Sequence, residues 1–345
     1  VQTIATDALI IGAGPVGLFQ VFELGLLGLH AEVVDALPRA GGQCAELYAD
    51  KPIYDIPGLP RCTGGELVER LLQQIAPFKA GFHFGQLVQQ LQPQAGGRFM
   101  VETSAGTRFD AGCVVIAAGV GAFQPRRLKV DGLAEFEGRQ VLYRVDSPLP
   151  MAGRQVIVVG AGDAALTWAL QAAADEAAAA RVTLLHRRDS FVASPALIEA
   201  LNVQRGLGRI HFIAGQITRC AASDGRLTSV HIAASNGTEA DTPVDLVLAD
   251  LGLVPQLGPI AQWGLALERK QLPVDTEKFQ TAVPGLFAVG DINTYAGKKK
   301  LILCGFHEAT LAAFAAASHL WPERRPALEY TTSSPRLQAL LGVAP

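Results

Sequence analysis

The sequence predicts an α/β fold of two doubly wound parallel sheets, one inserted into the other. Three observations carry that expectation. A strand, glycine loop, helix and second strand open the chain at Ala8, the same unit returns 148 residues on, from Gly12 to Gly160, and a further apolar strand ends in Gly290-Asp291. The length of 345 residues suits two domains, and 49% hydrophobic against 18% charged residues can fill both cores.

In the first copy, Ala8-Leu9-Ile10-Ile11 is a short apolar run of buried-strand type that enters Gly12-Ala13-Gly14-Pro15-Val16-Gly17 directly. Pro15 suits a first helical turn, where its missing N–H has no partner to lose, and Val16 to Leu27 continues the helix until Gly28. Ala31 to Val34 is the second strand, with Asp35 at its end. Gly12 permits the tight turn, Gly14 lets backbone approach a pyrophosphate, and Gly17 lets helix pack on strand. Asp35 accepts hydrogen bonds from a ribose 2′-hydroxyl and repels a 2′-phosphate, so this loop is expected to hold FAD or NAD rather than NADP.

The second copy runs from the strand Gln155–Val159 through Gly160-Ala161-Gly162-Asp163-Ala164-Ala165 into an Ala-rich helix expected to reach about Ala180. Its second strand, Arg181 to Leu185, continues into His186-Arg187-Arg188, so two guanidiniums stand where the first copy has its carboxylate. That change of sign selects NADPH; the bland alternative is a solvated arginine pair. Both units are therefore read as Rossmann-like dinucleotide-binding domains. The turn and strand Thr281 to Asp291, followed by a helix near His307, add a flavin reading, with Asp291 as acceptor for a ribityl hydroxyl. Val114 to Gly119 is a similar strand that returns the chain toward the next domain.

Charge excludes other classes. Lys plus Arg number 29 and Asp plus Glu 32, a net of −3, which offers no field for a polyanion, so nucleic acid is not expected as a partner. Val1 to Ile11 lacks a signal peptide's basic flank and cleavage site, and Glu23, Asp175 and Glu176 interrupt the most apolar stretches. The expectation is a soluble, cytoplasmic protein with no membrane association. Five cysteines (Cys44, Cys62, Cys113, Cys220 and Cys304) are widely spaced and read as small hydrophobes, and the histidines show no metal-ligand spacing.

Taken together, these residues resemble the two-dinucleotide flavoproteins of the thioredoxin-reductase superfamily. Thioredoxin reductases carry a C-x-x-C pair ahead of the second dinucleotide strand, where this chain has Tyr143-Arg144-Val145-Asp146-Ser147-Pro148. The linker motif of similar flavin monooxygenases is absent as well. The closer resemblance is to ferredoxin (or flavodoxin)-NADP reductases of thioredoxin-reductase-like type. It rests on Gly41-Gly42-Gln43, Leu47-Tyr48, Ile53-Tyr54-Asp55-Ile56-Pro57-Gly58, Gly121-Ala122-Phe123-Gln124-Pro125-Arg126, Leu257-Gly258-Pro259-Ile260, Trp263-Gly264-Leu265 and Tyr330-Thr331-Thr332-Ser333.

The resemblance implies that Tyr48 stacks on one face of the isoalloxazine and Tyr330 covers the other. It also implies that Gln43 and Phe123 line the FAD, that Val88 contacts the adenine end, and that Thr332 and Ser333 belong to the flavin-covering tail. By residue type alone each tyrosine is a core or interface aromatic. It further implies FAD and NADPH as cofactors, ferredoxin or flavodoxin as partner, and a homodimer. One departure is Val192, where the family's His-Arg-Arg-Asp-x-Phe-Arg has its last arginine, which weakens the preference for NADPH.

The expected organisation is an FAD domain of residues 1–118 and 256–345, with an NADPH domain of 119–255 between and a hinge at the crossings near Gly119 and Pro255. His307 and Glu308 are expected at a helix start in a capping or surface role, and Arg126, Arg127, Lys129 and Lys298-Lys299-Lys300 are candidate docking charges. No protein acid or base is obligatory, since hydride passes between cofactors. A reductase of quinones or another acceptor is the enzymatic alternative, and a non-catalytic FAD/NADPH redox sensor is the other.

Overall fold

The computed structural model describes residues 3–145, 149–174, 179–324 and 327–343. Its helices are α1 (Pro15–Leu26), α2 (Gln43–Glu46), α3 (Gly64–Ile75), α4 (Asp163–Ala172), α5 (Pro195–Gly206), α6 (Ile302–Leu320) and α7 (Pro335–Leu340). The chain divides into two units, one of Val1–Ala122 with Pro255–Pro345 and one of Phe123–Val254.

In the first unit, strand Thr3–Ile11 lies parallel between Ala31–Val34 and Arg108–Ile116, and Leu286–Ala288 joins the far side of Arg108–Ile116. Alternate residues face opposite sides of such a sheet. Ile10, Val33, Cys113 and Val115 enter a core covered by α1, α3 and α6, while Leu9, Ile11, Val34, Val114 and Ile116 enter a second core under the antiparallel pair Val88–Pro93 and Phe99–Thr103. Helix α6 presents Ala309, Ala312, Ala313, Ala316 and Ala317, all 0% exposed, so small side chains let it lie close on the sheet layer. The resemblance stretch around Ile260 packs in this unit too: Ile260 shares the second core with Val88, and the Trp263 indole donates to Gln89 O at 3.0 Å.

In the second unit, Gln155–Gly160 lies parallel between Arg181–His186 and Leu246–Asp250, and Ile210–Ser223 extends the sheet into an antiparallel hairpin with Arg226–Ala234. Helices α4 and α5 cover Val156, Val158, Val182 and Leu184 on one face. Leu133, Phe136 and the hairpin residues Ile217, Val230 and Ile232 cover Ile157, Val159 and Leu185 on the other.

Two local expectations are corrected. Helix α4 ends at Ala172 rather than near Ala180, because Ala179 N and Ala180 N bond Ala172 O (3.0 Å) and Arg154 O (2.8 Å), turning the chain so that Arg181 can pair with Gln155. Residues 175–178 and the linker residues Asp146, Ser147 and Pro148 lie outside the described residues. Helix α6 begins at Ile302, which sets Glu308 in its second turn, facing inward and 0% exposed, rather than at a surface cap.

Candidate functional site

Gly12 adopts φ +112°, and a Cβ there would stand 2.4 Å from Ala117 O, so the turn after the first strand excludes any side chain. A Cβ on Gly17 would fall 1.9 Å from Gly12 O, which fixes how tightly α1 leaves the loop. Gly14, the N-cap of α1, has no side-chain cap and open space where its Cβ would be. An uncapped helix N-terminus beneath open space, with Pro15 as its first residue, leaves free backbone N–H groups that could receive a phosphate.

Asp35 lies at the end of the neighbouring strand, as the pattern requires, and its carboxylate is already engaged: Oδ2 accepts from Ala13 N at 2.6 Å and Oδ1 from Leu37 N at 2.8 Å. Burial pushes this carboxyl up, against the pull of those two amides. Asp35 therefore also ties the glycine loop to the second strand, a role that the spacing alone did not disclose. Beside it, Gly85 N donates to Leu37 O and Gln86 N to Asp35 O, which brings the segment leading to Val88 alongside the acid. Val88 itself is buried at the start of its strand.

A second cluster gathers around Asp291. Its Oδ2 accepts from Gln43 Nε2 at 3.3 Å, and a Cβ on Gly119 would stand 3.4 Å from that amide, so three separate sequence signals converge. Gly41 N donates to Ala13 O at 2.8 Å, tying α2 to the first loop. Tyr48 follows α2, half-buried against the core, with its hydroxyl 3.6 Å from Cys44 Sγ. Burial and that thiol push the Tyr48 phenol up, so it stays protonated at neutral pH. Helix α6, like α1, has no side-chain cap.

The remaining first-unit candidates lie apart. Tyr330, Thr332 and Ser333 are exposed in the turn before α7. Gln338 Nε2 donates to Thr331 O and Thr332 O, and Arg336 donates to Leu26 O at 3.2 Å, which holds this tail at the C-terminal end of α1. That end is roughly 18 Å along the helix axis from Gly14. Phe123 opens the second unit, half-buried on the crossing strand Ala122–Pro125.

The loop of the second unit repeats the first. A Cβ on Gly160, at φ +152°, would stand 2.5 Å from Asp250 O, and Gly162 is the uncapped N-cap of α4. Asp163 Oδ1 accepts from Ser194 N at 2.7 Å, Ala164 is exposed beside it, and Val192 N donates to Ala161 O at 2.9 Å. The His186 ring bonds Arg188 O, while Asp189 is paired with Arg205. Arg187 and Arg188 are exposed and, among the described residues, have no acidic partner. Val192 is 88% exposed with its backbone bridged to Gly162, so the family's arginine at that position would project beside the nucleotide loop.

Sequence reasoning missed Asp250, whose Oδ2 would lie 3.1 Å from a Cβ on Gly162, and the pair Lys298 and Glu308, buried behind Asp291. Nothing local marks Asp250, since it ends an ordinary apolar strand. Lys298 is therefore corrected from docking charge to internal partner, and Arg127 is held by Glu137.

Two uncapped helices follow glycine loops, with an acid beyond one and, beyond the other, guanidiniums that have no acidic partner among the described residues, and this defines a protein of the two-dinucleotide, flavin- and pyridine-nucleotide-binding class. The chain matches the family described as pyridine nucleotide-disulphide oxidoreductase over residues 6–316. It is 57% identical over 341 residues to a protein of Albidiferax ferrireducens named ferredoxin–NADP reductase, covering 99% of this chain and 96% of that one. A protein of the same name from Paracidovorax citrulli is 58% identical over 351 residues, covering 99% and 98%. Among solved structures, thioredoxin reductase from Gloeobacter violaceus shares the fold, with a TM-score of 0.56 at 22% identity over 95% of this chain and 98% of that one. Bacillithiol disulfide reductase from Staphylococcus aureus does so with a TM-score of 0.58 at 15% identity, covering 93% and 100%. The chain belongs to the pyridine nucleotide-disulphide oxidoreductase family, in its ferredoxin–NADP reductase branch.

Proposed function

We propose that this chain is an FAD-dependent oxidoreductase that moves electrons between NADPH and ferredoxin or flavodoxin. The observation that carries the reading is the contrast between the two loops: a half-buried carboxylate at Asp35 and, at the matching point of the second unit, an Arg187-Arg188 pair with no acidic partner among the described residues. Relatives more than half identical over nearly the whole chain carry the name ferredoxin–NADP reductase, which supports the same direction of chemistry.

FAD fits the first unit, where Gly14 is open and α1 uncapped, and when bound it supplies the step from hydride to single electrons. The chain's own residues supply binding and orientation. Amides at the start of α1 meet the pyrophosphate, Asp35 faces the adenosine ribose, and Val88 lies toward the adenine. With FAD bound, Asp291 and Gln43 would orient the ribityl chain, Tyr48 would cover the ring, and the α6 N-terminus would supply positive potential toward it. In the second unit, amides at Gly162, Asp163 and Ala164 hold the NADPH pyrophosphate, and His186, Arg187 and Arg188 surround the 2′-phosphate.

Tyr330, Thr332 and Ser333 sit on a tail anchored away from Gly14, so we assign them to the flavin of a second copy in a homodimer. The site of action is the cytoplasm; among the described residues, no helix is long and apolar enough to cross a membrane. The test is an anaerobic titration of the purified protein with NADPH, followed by oxidised ferredoxin, flavodoxin or quinone in separate cells. Bleaching of bound flavin and reoxidation fastest with ferredoxin or flavodoxin support the reading. Protein that takes up no FAD refutes it, and preference for quinone replaces the acceptor.

A further inference from the structure

Lys298 and Glu308 form an ion pair whose side chains are 7% and 0% exposed. Every lone pair the carboxylate offers toward the turn is used. Glu308 Oε2 accepts from Gly290 N at 2.7 Å and from Asn293 Nδ2 at 2.8 Å, and Oε1 accepts from Tyr295 Oη at 2.9 Å and from Lys298 Nζ. Lys298 Nζ also donates to Gly290 O at 2.9 Å. One pair thus grips Gly290 by both its amide and its carbonyl, while the residue holds φ +77°. Buried ion pairs seldom outdo apolar packing in stability, so geometry is the stronger reason for one here.

The next residue is Asp291, whose carboxylate accepts from Gln43. We propose that the Glu308–Lys298 pair is the positioning device of the flavin site, holding the Gly290 turn so that Asp291 and Gln43 face the bound FAD. This rests on the flavoprotein reading and adds to it two residues that act through others rather than on the cofactor. Glu308→Gln and Lys298→Met each leave one buried charge without its partner, and the turn then relaxes.

The experiment measures FAD dissociation constants for the purified full-length wild type, both single variants and the double variant. At saturating FAD it also records flavin absorption and midpoint potential, which a general loss of stability would not move. Each single variant is expected to weaken FAD binding by about 10- to 100-fold, by analogy with the loss of groups that orient the direct ligands of a metal. Each is also expected to shift the absorption band and the potential. The double variant, with no unpaired charge, is expected to bind FAD more tightly than either single. Unchanged affinity, spectrum and potential in the singles overturn the proposal, as does a double whose losses simply add. If a single variant does not fold, Tyr295→Phe replaces it, removing one donor and no charge: a displaced band with weaker binding supports the device, and wild-type behaviour overturns it. Wild-type protein that binds no FAD would instead refute the underlying reading.

Discussion

At the scale of single residues, the proposed choice of nucleotide at each loop rests on the two strand-end positions. Asp35 is half-buried and doubly bonded to backbone, whereas Arg187 and Arg188 are exposed and without acidic partners among the described residues. A charge-assisted hydrogen bond contributes ~1.5–3 kcal/mol, so Arg187→Ala or Arg188→Ala should raise the NADPH dissociation constant by roughly 10- to 100-fold and leave NADH binding nearly unchanged. Val192 offers the reverse change. Its amide is bonded to Ala161 O beside the glycine loop, and its side chain is in solvent, so Val192→Arg adds a cation with no packing cost. NADPH should bind about tenfold tighter to that variant, with NADH unaffected; equal gains for both nucleotides would place the new guanidinium away from the 2′-phosphate.

At the scale of elements, helix packing shifts groups whose spacing looks unremarkable. Glu23 on α1 is partly buried within bonding distance of Thr310 on α6, and burial pushes its carboxyl from 4.5 up to about 7. The folded state therefore keeps a proton that the unfolded chain releases above pH 4.5. Stabilisation from this group is complete below that value and is lost as pH rises toward 7. Thermal melts should show the wild type losing stability across that window and Glu23→Gln losing less, so the variant is the more stable at pH 8; parallel curves would discount the carboxyl. Much at this scale was readable in advance. The strands around Ile10, Val33 and Val158, the glycine loops and the start of α1 follow from local pattern, because turn geometry and apolar runs are set by neighbours in sequence. Helix α4 was overestimated because alanine favours helix wherever the chain is free to extend, and the pairing of Arg181 with Gln155 removes that freedom.

At the scale of the whole molecule, the proposed acceptor, ferredoxin or flavodoxin, is a separate protein that needs a docking surface. Lys299 and Lys300 are exposed, and Leu301 (46%) and Leu303 (44%) are exposed beside them at the start of α6. We place acceptor docking there, since Lys298 is occupied inside. Reversing Lys299 and Lys300 to Glu should slow ferredoxin reduction several-fold at low salt, with the difference shrinking as salt screens the encounter. Equal slowing of a small dye would mean that the flavin site, not docking, was damaged. Sedimentation of the full chain tests the homodimer, and Tyr330→Ala should alter flavin reduction by NADPH if the tail covers a ring.

What the sequence alone determined is everything that depends on residues near one another in the chain: the two glycine loops, the strands that feed them, and the exchange of a carboxylate for guanidiniums. The tertiary structure decided which charges are spent inside. Lys298 and Glu308 look like surface residues in a run of lysines and at a helix start, yet α6 turns one inward and the Gly290 turn draws in the other. Burial depends on how separate elements pack, and no local pattern records it.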